Sequence, residues 1–269
     1  MKELDLNTLL EEVKRVVLEA SVFMHIEDAQ IFEKDGVANL VTSADLAVQK
    51  YLAKELVALV PGCGFYGEEE HLCTLGDGRR WIVDPIDGTA NFTRSLGQSG
   101  ISVAFVDGNE VVLGVVYNPV SKEMFWAVKG QGAFLNGKRL HVSSKDFQHS
   151  LYCTAFSLYR KEFAGICNNI LMDTYYECSD FRRFGVCSLE MCYLAAGKVD
   201  LYFEIRLAPW DFSAAMIIVR EAGGYVESFE GTAPSLDSPC PLIVANSHEN
   251  LLHMHEIVER HMDSIPYTD

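Results

Sequence analysis

A chain of 269 residues, 49% hydrophobic and 22% charged, carries enough apolar material for one large domain or two ordinary ones. Its 22 basic residues against 38 acidic ones give a net charge of −16, which disfavours nonspecific attachment to nucleic acid or acidic membranes. No apolar run reaches the roughly 18 residues of a membrane helix, Met1-Lys-Glu-Leu-Asp-Leu6 is an acidic amphipathic start rather than a signal peptide, and the cysteines form no Cys-x-x-Cys pair. These features predict a cytoplasmic protein with reduced thiols and no membrane contact.

Leu9, Leu10, Val13, Val16, Val17 and Ala20 form one apolar stripe and predict a first helix from Leu6. Lys34-Asp35-Gly36 is a break. Thr42, with Asp45 three residues on, starts a second helical pattern through Leu46, Leu52, Leu56 and Leu59, closed by Pro61-Gly62. Asp45 in that first turn is either a plain capping carboxylate or a functional one. Residues 63–67 read as a short strand, and Glu68-Glu69-Glu70 follows at once. Trp81-Ile-Val83 reads as the end of a buried strand, which Pro85 is expected to stop because it lacks a ladder donor. Asp84 and Asp87 bracket that proline, and Gly88-Thr89 supply a turn whose backbone can approach a ligand. If the two strands are neighbours, Glu68 and Asp84 converge at one sheet edge.

Residues 100–107, 111–117 and 125–128 alternate as strands, with hairpin turns at Asp107-Gly108 and Asn136-Gly137, so the middle of the chain is an antiparallel meander. Gly132 to Lys138 imitates a P-loop, but Arg139 stands where the Ser or Thr belongs, and Asn136-Gly137 reads better as a hairpin. Beyond the polar Ser143-Ser-Lys-Asp146 the rhythm becomes alternating α/β. Strands are expected at 151–156, 199–205 and 242–245, and a strand-to-loop passage at 181–185. Helices are expected at 160–172, 188–196, from Ala208-Pro209-Trp210-Asp211 to Gly223-Gly224, and from 249. This divides the chain into residues 1–147, carrying most of the acids, and 148–269, the two forming one compact unit. His253, His255 and His261 do not share a helix face suited to one ion and are expected to be solvated.

Glu68, Asp84, Asp87, Asp211 and Asp45 each follow a strand or start a helix, where a sheet edge can gather side chains. Two unit charges about 4 Å apart repel by roughly 4 kcal/mol at an effective dielectric near 20, so such a cluster needs protons or a cation. Oxygen donors without His or Cys favour Mg²⁺ over zinc. An EF-hand is excluded, since its twelfth position would fall on Ser95 rather than Glu. Two Mg²⁺ ions suit phosphate-ester hydrolysis, one activating water and the other stabilising the leaving oxygen. The absence of a G-x-S-x-G signal favours direct attack by water over a covalent intermediate.

Gly67-Glu-Glu69, Trp81-Ile-Val-Asp-Pro-Ile-Asp-Gly-Thr89 and Trp210-Asp211 with Glu221-Ala-Gly-Gly224 resemble the inositol monophosphatase family. Lys34, Asn39-Leu-Val-Thr-Ser-Ala-Asp45, Gly132-Ala-Phe-Leu-Asn-Gly137 and Glu204 fit the same pattern, over roughly residues 5–262. The resemblance implies a layered α/β/α/β/α sandwich and a lithium-sensitive phosphomonoesterase using two or three Mg²⁺ ions, as a homodimer. It implies that Glu68, Asp84 and the Ile86 carbonyl hold one ion, and Asp84, Asp87 and Asp211 a second. Glu68 and Thr89 would orient the attacking water, with Asp45 supporting Thr89. Asp87 and the backbone of Gly88 and Thr89 would meet the phosphate. Gly185, Val186, Cys187, Glu204 and Asp211 would meet the rest of the substrate, and Lys34 would lie on a loop near the metals.

Two departures bear on the substrate. Val186-Cys187 stand where the family usually has Ser or Thr followed by Ala, and Arg182-Arg183 add positive charge that could receive a second phosphate or a partner. The expected substrate is an inositol monophosphate or a related polyol or sugar phosphate. The alternatives are fructose 1,6-bisphosphate, 3′-phosphoadenosine 5′-phosphate and, remotely, a noncatalytic protein of the same fold that contacts RNA or a polymerase.

Overall fold

The computed structural model describes residues 5–27, 29–34, 40–69, 72–156 and 160–261. Helix α1 (Leu6–Ala20) begins at Asp5, whose side chain accepts the Asn7 N–H, and it buries the predicted stripe from Leu9 to Ala20. Strands β1 (Ile31–Glu33) and β2 (Leu40–Thr42) pair antiparallel ahead of helix α2 (Ser43–Leu59). The Thr42 hydroxyl accepts the N–H groups of Ala44 and Asp45, and the Asp45 carboxylate accepts the Thr42 N–H at 2.7 Å, a reciprocal cap.

The meander builds an eight-stranded sheet from β3 (Gly64–Gly67), β4 (Cys73–Thr74), β5 (Arg79–Asp87), β6 (Gly100–Asp107), β7 (Glu110–Asn118), β8 (Glu123–Val128), β9 (Gly132–Leu135) and β10 (Lys138–Arg139). Its order is β10-β9-β8-β7-β6-β5-β3-β4, with β3 parallel to β5 and the other pairs antiparallel. The short helix α3 (Thr89–Phe92) follows β5. The later part of the chain supplies β11 (Leu151–Thr154), α4 (Ala164–Glu177), β12 (Asp180–Arg182), α5 (Cys187–Ala195), β13 (Leu201–Leu207), α6 (Pro209–Glu221), β14 (Tyr225–Glu227), β15 (Cys240–Ala245) and α7 (His248–Glu259). Its five strands run in the order β12-β11-β13-β15-β14.

Three apolar cores define the layers. On one face of the large sheet, Val13, Val17, Leu52 and Leu56 of α1 and α2 pack on Trp81, Val103, Phe105 and Val115. On its other face, Ile82, Ala104, Val116 and Phe125 meet α5 and α6, which in turn cover Tyr202, Leu242 and Val244 of the small sheet. The far face of the small sheet, with Tyr152, Phe203 and Ile243, is closed by α4 and α7 through Ile166, Ile170, Leu251 and Met254. The result is the α/β/α/β/α sandwich, each layer pair separated by alternate side chains of the same strands. Each fully buried Val, Leu, Ile or Phe contributes about 1.5–3 kcal/mol relative to exposure.

One line across the large sheet is built of small residues. The register places Ala104 opposite Gly114, Gly114 opposite Ala127 and Ala127 opposite Ala133. A Cβ on Gly114 would stand 2.5 Å from the Ala214 carbonyl oxygen and 2.6 Å from Ile217 Cγ2, so α6 lies nearly backbone-to-backbone on β7.

Several expectations need correction. Pro85 does not end its strand: β5 runs on to Asp87, with a register shift between Asp84 and Asp87 against Ser102 and Gly100. The extra residue forms a bulge, where a missing N–H costs the ladder nothing. His253 and His255 of α7, and His261 just beyond it, are not simply solvated: His253 meets Glu177 at 2.7 Å, His255 meets Glu227 at 3.0 Å, and His261 meets Asp173 at 2.8 Å. They tie α7 to α4 and β14. The helix expected over 160–172 is shifted to Ala164–Glu177, and the short strands β1, β2 and β14 carry too few residues for a visible alternation. Asn136-Gly137 does form the β9–β10 turn, with φ of 47° and 84°. Asp35, Gly36, Asn39 and Glu70 lie outside the described residues.

Candidate active site and metal centre

The parallel pairing of β3 with β5 sets Gly67 beside Val83, and the residues that follow, Glu68 and Asp84, emerge side by side at the strand ends. The bulge in β5 then presents Asp87, and α6 delivers Asp211 from its first turn. Pro209 opens α6 with its φ already set, and the Asp211 carboxylate accepts the Ala208 N–H at 2.7 Å. Asp45 and Asp211 thus stand at the same position of two helices on opposite faces of the sheet, each held by the N–H at its own helix start.

A cavity of about 890 Å³ opens here. Of the residues singled out in the sequence, Lys34, Glu68, Asp84, Ile86, Asp87, Gly88, Thr89, Gly185, Val186, Cys187, Glu204 and Asp211 all line it. Asp45 is fully buried behind the wall, where its Oδ1 lies 3.3 Å from the Thr89 hydroxyl, whose other acceptor is the Ile86 carbonyl at 3.0 Å.

Three acids share one way of being held. Asp84 accepts the Ile86 N–H at 3.0 Å, Asp87 the Ser188 N–H at 2.7 Å and Asp211 the Ala208 N–H at 2.7 Å. In each, a backbone N–H fixes one carboxylate oxygen. Burial and then the neighbouring Glu68, Asp87 and Asp211 charges push Asp84 well above the usual carboxylate range. Asp211 is raised in the same way, by burial and then by Asp87 and Glu68. Burial lifts Asp87 to about 6 against the pull of Ser188.

Lys34 pairs with two acids of this wall: its Nζ lies 3.0 Å from Glu68 and 2.7 Å from Glu69. Burial lowers the Lys34 ammonium, but the two glutamates outweigh it and hold it raised. Among the described residues, no three His, Cys, Asp or Glu side chains already close into a nest around an ion. What is present is a set of backbone-anchored carboxylates on one cavity, whose acidic side chains outnumber its basic ones. That oxygen-only donor set fits a hard divalent cation that keeps water or phosphate as further ligands.

Gly88 makes the turn after β5, with φ of 87°, a left-handed conformation natural to glycine. A Cβ there would stand 2.6 Å from Val186 Cγ2, so Val186 sets the width of the turn. The leading N–H groups of a helix have no partner within it, and Gly88 and Thr89, which open the short helix α3, both line the cavity. Elsewhere on the cavity wall, the Tyr202 hydroxyl donates to Glu204 at 2.6 Å, and burial raises Glu204 to about 8 against that pull.

Sequence reasoning missed three supports. Gln49 grips the Glu69 backbone from both sides, donating to its carbonyl at 2.8 Å and accepting its N–H at 2.9 Å. Glu190 accepts the Phe184 N–H at 2.7 Å and lines the cavity. It is the lone charge in a helix whose nine residues are all buried, a signal available in the sequence. Arg206, the exposed position of β13, also lines the cavity.

The acids raised by burial reverse the usual effect of pH. Burial sets Asp45 and Asp87 near 6, Glu69 and Glu190 near 7, and Glu204 near 8, against about 4 in the unfolded chain. The folded state binds more protons between those values, so stability is full below about 4 and falls as pH rises to about 8. Thermal melts in chelator should give a lower Tm at pH 8 than at pH 6; the opposite order would contradict this charge balance.

Comparison with known proteins places these features in context. The model of the Inositol monophosphatase family matches residues 6–263. "Nus factor SuhB" of Salmonella typhimurium is 39% identical over 207 residues, 76% of this chain and 77% of that protein. "Inositol-1-monophosphatase" of Rhizobium meliloti is 34% identical over 244 residues, 90% of this chain and 91% of that protein. The crystal structure of extragenic suppressor protein suhB from Bartonella henselae superposes with a TM-score of 0.87 at 29% identity, covering 94% of this chain and 99% of that one.

Proposed function

Because this chain belongs to the inositol monophosphatase family, we propose that it hydrolyses phosphomonoesters of inositol or related polyols and sugars with Mg²⁺ and water. The observation that carries the reading is the convergence of Glu68, Asp84, Asp87, Thr89 and Asp211 on one cavity. Glu68, Asp84, Asp87, Asp211 and the Ile86 carbonyl are the residues to hold two or three Mg²⁺ ions. Bound there, Mg²⁺ lowers the pKa of water and offsets charge on the phosphate oxygens.

The chain's own groups do the positioning. Glu68 and the Thr89 hydroxyl orient the water, and Asp45 fixes the Thr89 hydroxyl from behind. The N–H groups of Gly88 and Thr89 receive phosphate oxygens. Gly185, Val186, Cys187 and Glu204 meet the alcohol portion, with Tyr202 fixing the Glu204 carboxyl. Lys34 counters the charge of Glu68 and Glu69 when that wall lacks another cation. A homodimer, lithium sensitivity and a cytoplasmic setting belong to the same proposal. Among the described residues no helix is long and apolar enough to cross a membrane.

The relatives named "Nus factor SuhB" support a second reading, a binding protein that keeps the fold. A phosphate-release panel separates the two: inositol 1-phosphate, fructose 1,6-bisphosphate, 3′-phosphoadenosine 5′-phosphate and NADP⁺, with Mg²⁺ and with or without lithium. Metal-dependent release from inositol 1-phosphate is the expected result. No release from any of the four would leave the binding role as the better reading.

A further inference from the structure

We propose that Glu190 is a positioning residue for the Gly88–Thr89 turn: its buried carboxylate clamps the backbone at Phe184–Val186, and that clamp holds the turn beside it. That the turn receives phosphate rests on the phosphatase reading above. Glu190 is 1% exposed and is the lone charge of α5. One of its oxygens accepts the Phe184 N–H at 2.7 Å, and the N–H groups of Gly185 and Val186 act on the carboxylate in the same sense, favouring its charged form. Gly185 has a φ of 75°, and successive N–H groups around a left-handed residue form a concavity suited to an anion. Here the chain supplies the anion itself.

Three contacts carry the clamp to the turn. The Phe184 carbonyl accepts the Asn91 side-chain amide at 2.7 Å, and Asn91 lies on α3, two residues after Thr89. Phe184 is thus gripped at its N–H from α5 and at its carbonyl from α3. Val186 Cγ2 would stand 2.6 Å from a Cβ on Gly88, so its side chain lies directly on the turn. The Phe184 ring packs edge-on to Tyr193 with centroids 5.6 Å apart; the Tyr193 hydroxyl donates to Gln98 at 2.9 Å, and the Gln98 carbonyl oxygen would stand 3.1 Å from that same Gly88 Cβ. The fold alone does not call for a carboxylate at this place. The second Glu190 oxygen is buried with no hydrogen-bond partner among the described residues. A buried polar atom left unpaired weakens a fold. A methionine has a similar length and would fill the space without that cost, but it cannot accept the Phe184 N–H.

The test measures calorimetric binding of inorganic phosphate, with Mg²⁺ present, to the full chain and to E190M, E190Q, N91A and the double variant E190M/N91A. E190M should weaken phosphate binding about tenfold, the size of one charge-assisted hydrogen bond. Its Tm in chelator should stay close to that of the parent, because the lost hydrogen bond and the removed buried charge oppose each other. E190Q keeps an oxygen for the Phe184 N–H and should lose only about threefold. N91A opens the other side of the same clamp, so the double variant should bind phosphate about as weakly as the weaker single one rather than by the product of the two losses. Amide hydrogen exchange adds a readout that needs neither turnover nor phosphate. The N–H groups of Asn91, Phe92 and Thr93, which bond to the carbonyls of Gly88 and Thr89, should exchange faster in E190M and N91A, with α1 and α2 unchanged. Should E190M fail to fold, E190Q and N91A make the same comparison. Faster exchange at those three amides in a chain that binds no phosphate would sink the phosphatase reading and leave the clamp standing. Unchanged exchange there, or phosphate losses that simply follow a lower Tm, would overturn the proposal.

Discussion

Asp84→Asn lowers Mg²⁺-dependent phosphate release by about 10³-fold or more, and it raises the Tm measured in chelator. A unit charge about 4 Å from a cation at an effective dielectric near 20 contributes roughly 4 kcal/mol. Each 1.36 kcal/mol is a factor of ten in rate, so that loss corresponds to about three orders of magnitude. The fold is expected to gain because Asp84 is buried beside Glu68, Asp87 and Asp211, charges that push its carboxyl to hold a proton. Asparagine removes that charge and keeps an oxygen for the Ile86 N–H. Steady-state phosphate assays and melts in chelator check the two halves separately. Retained turnover would sink the metal assignment, and a Tm several degrees lower would show that Asp84 serves the fold instead.

Gly114→Val should be the most damaging single change to stability away from the acids, and it should also reach the site. Its Cβ would meet the Ala214 carbonyl at 2.5 Å, a backbone atom that no rotamer change can move aside. Overpacking costs typically about 1–3 kcal/mol, and the upper end applies to a backbone collision; the strand preference of valine returns at most about 1 kcal/mol. Relief comes only by lifting α6 from β7, and α6 carries Asp211 in its first turn. The urea midpoint should therefore fall together with apparent Mg²⁺ affinity. A stability loss with unaltered Mg²⁺ activation would show that the start of α6 is held independently of its packing on β7.

Much of this was legible because each sequence signal rested on a local cause. The stripe from Leu9 to Ala20, the Thr42–Asp45 cap, Pro209 at a helix start and Asn136-Gly137 at a hairpin all carry their structure in a few residues. The convergence of Glu68 with Asp84 could be stated only conditionally, because it depends on β3 and β5 being neighbours, a fact of topology. Pro85 misled for a physical reason: a bulge accepts a missing N–H as readily as a strand end does, and the two look alike in sequence. His253, His255 and His261 misled because their acids lie on α4 and β14. Gln49 and Glu190 escaped notice because they serve backbone groups distant along the chain, which no local pattern announces.

The bulge in β5 and the first turn of α6 bring Asp87 and Asp211 to one cavity from positions more than a hundred residues apart. In polymer terms, any ion held by both is a cross-link closing a very long loop. Loop-closure entropy grows with the logarithm of the enclosed length, so long-range links constrain the unfolded chain most. An ion bound there would stabilise the folded chain by about 2.7 kcal/mol at a concentration a hundredfold above its dissociation constant. The carboxylates that burden the bare fold with mutual repulsion would then become the points at which its distant halves are fastened.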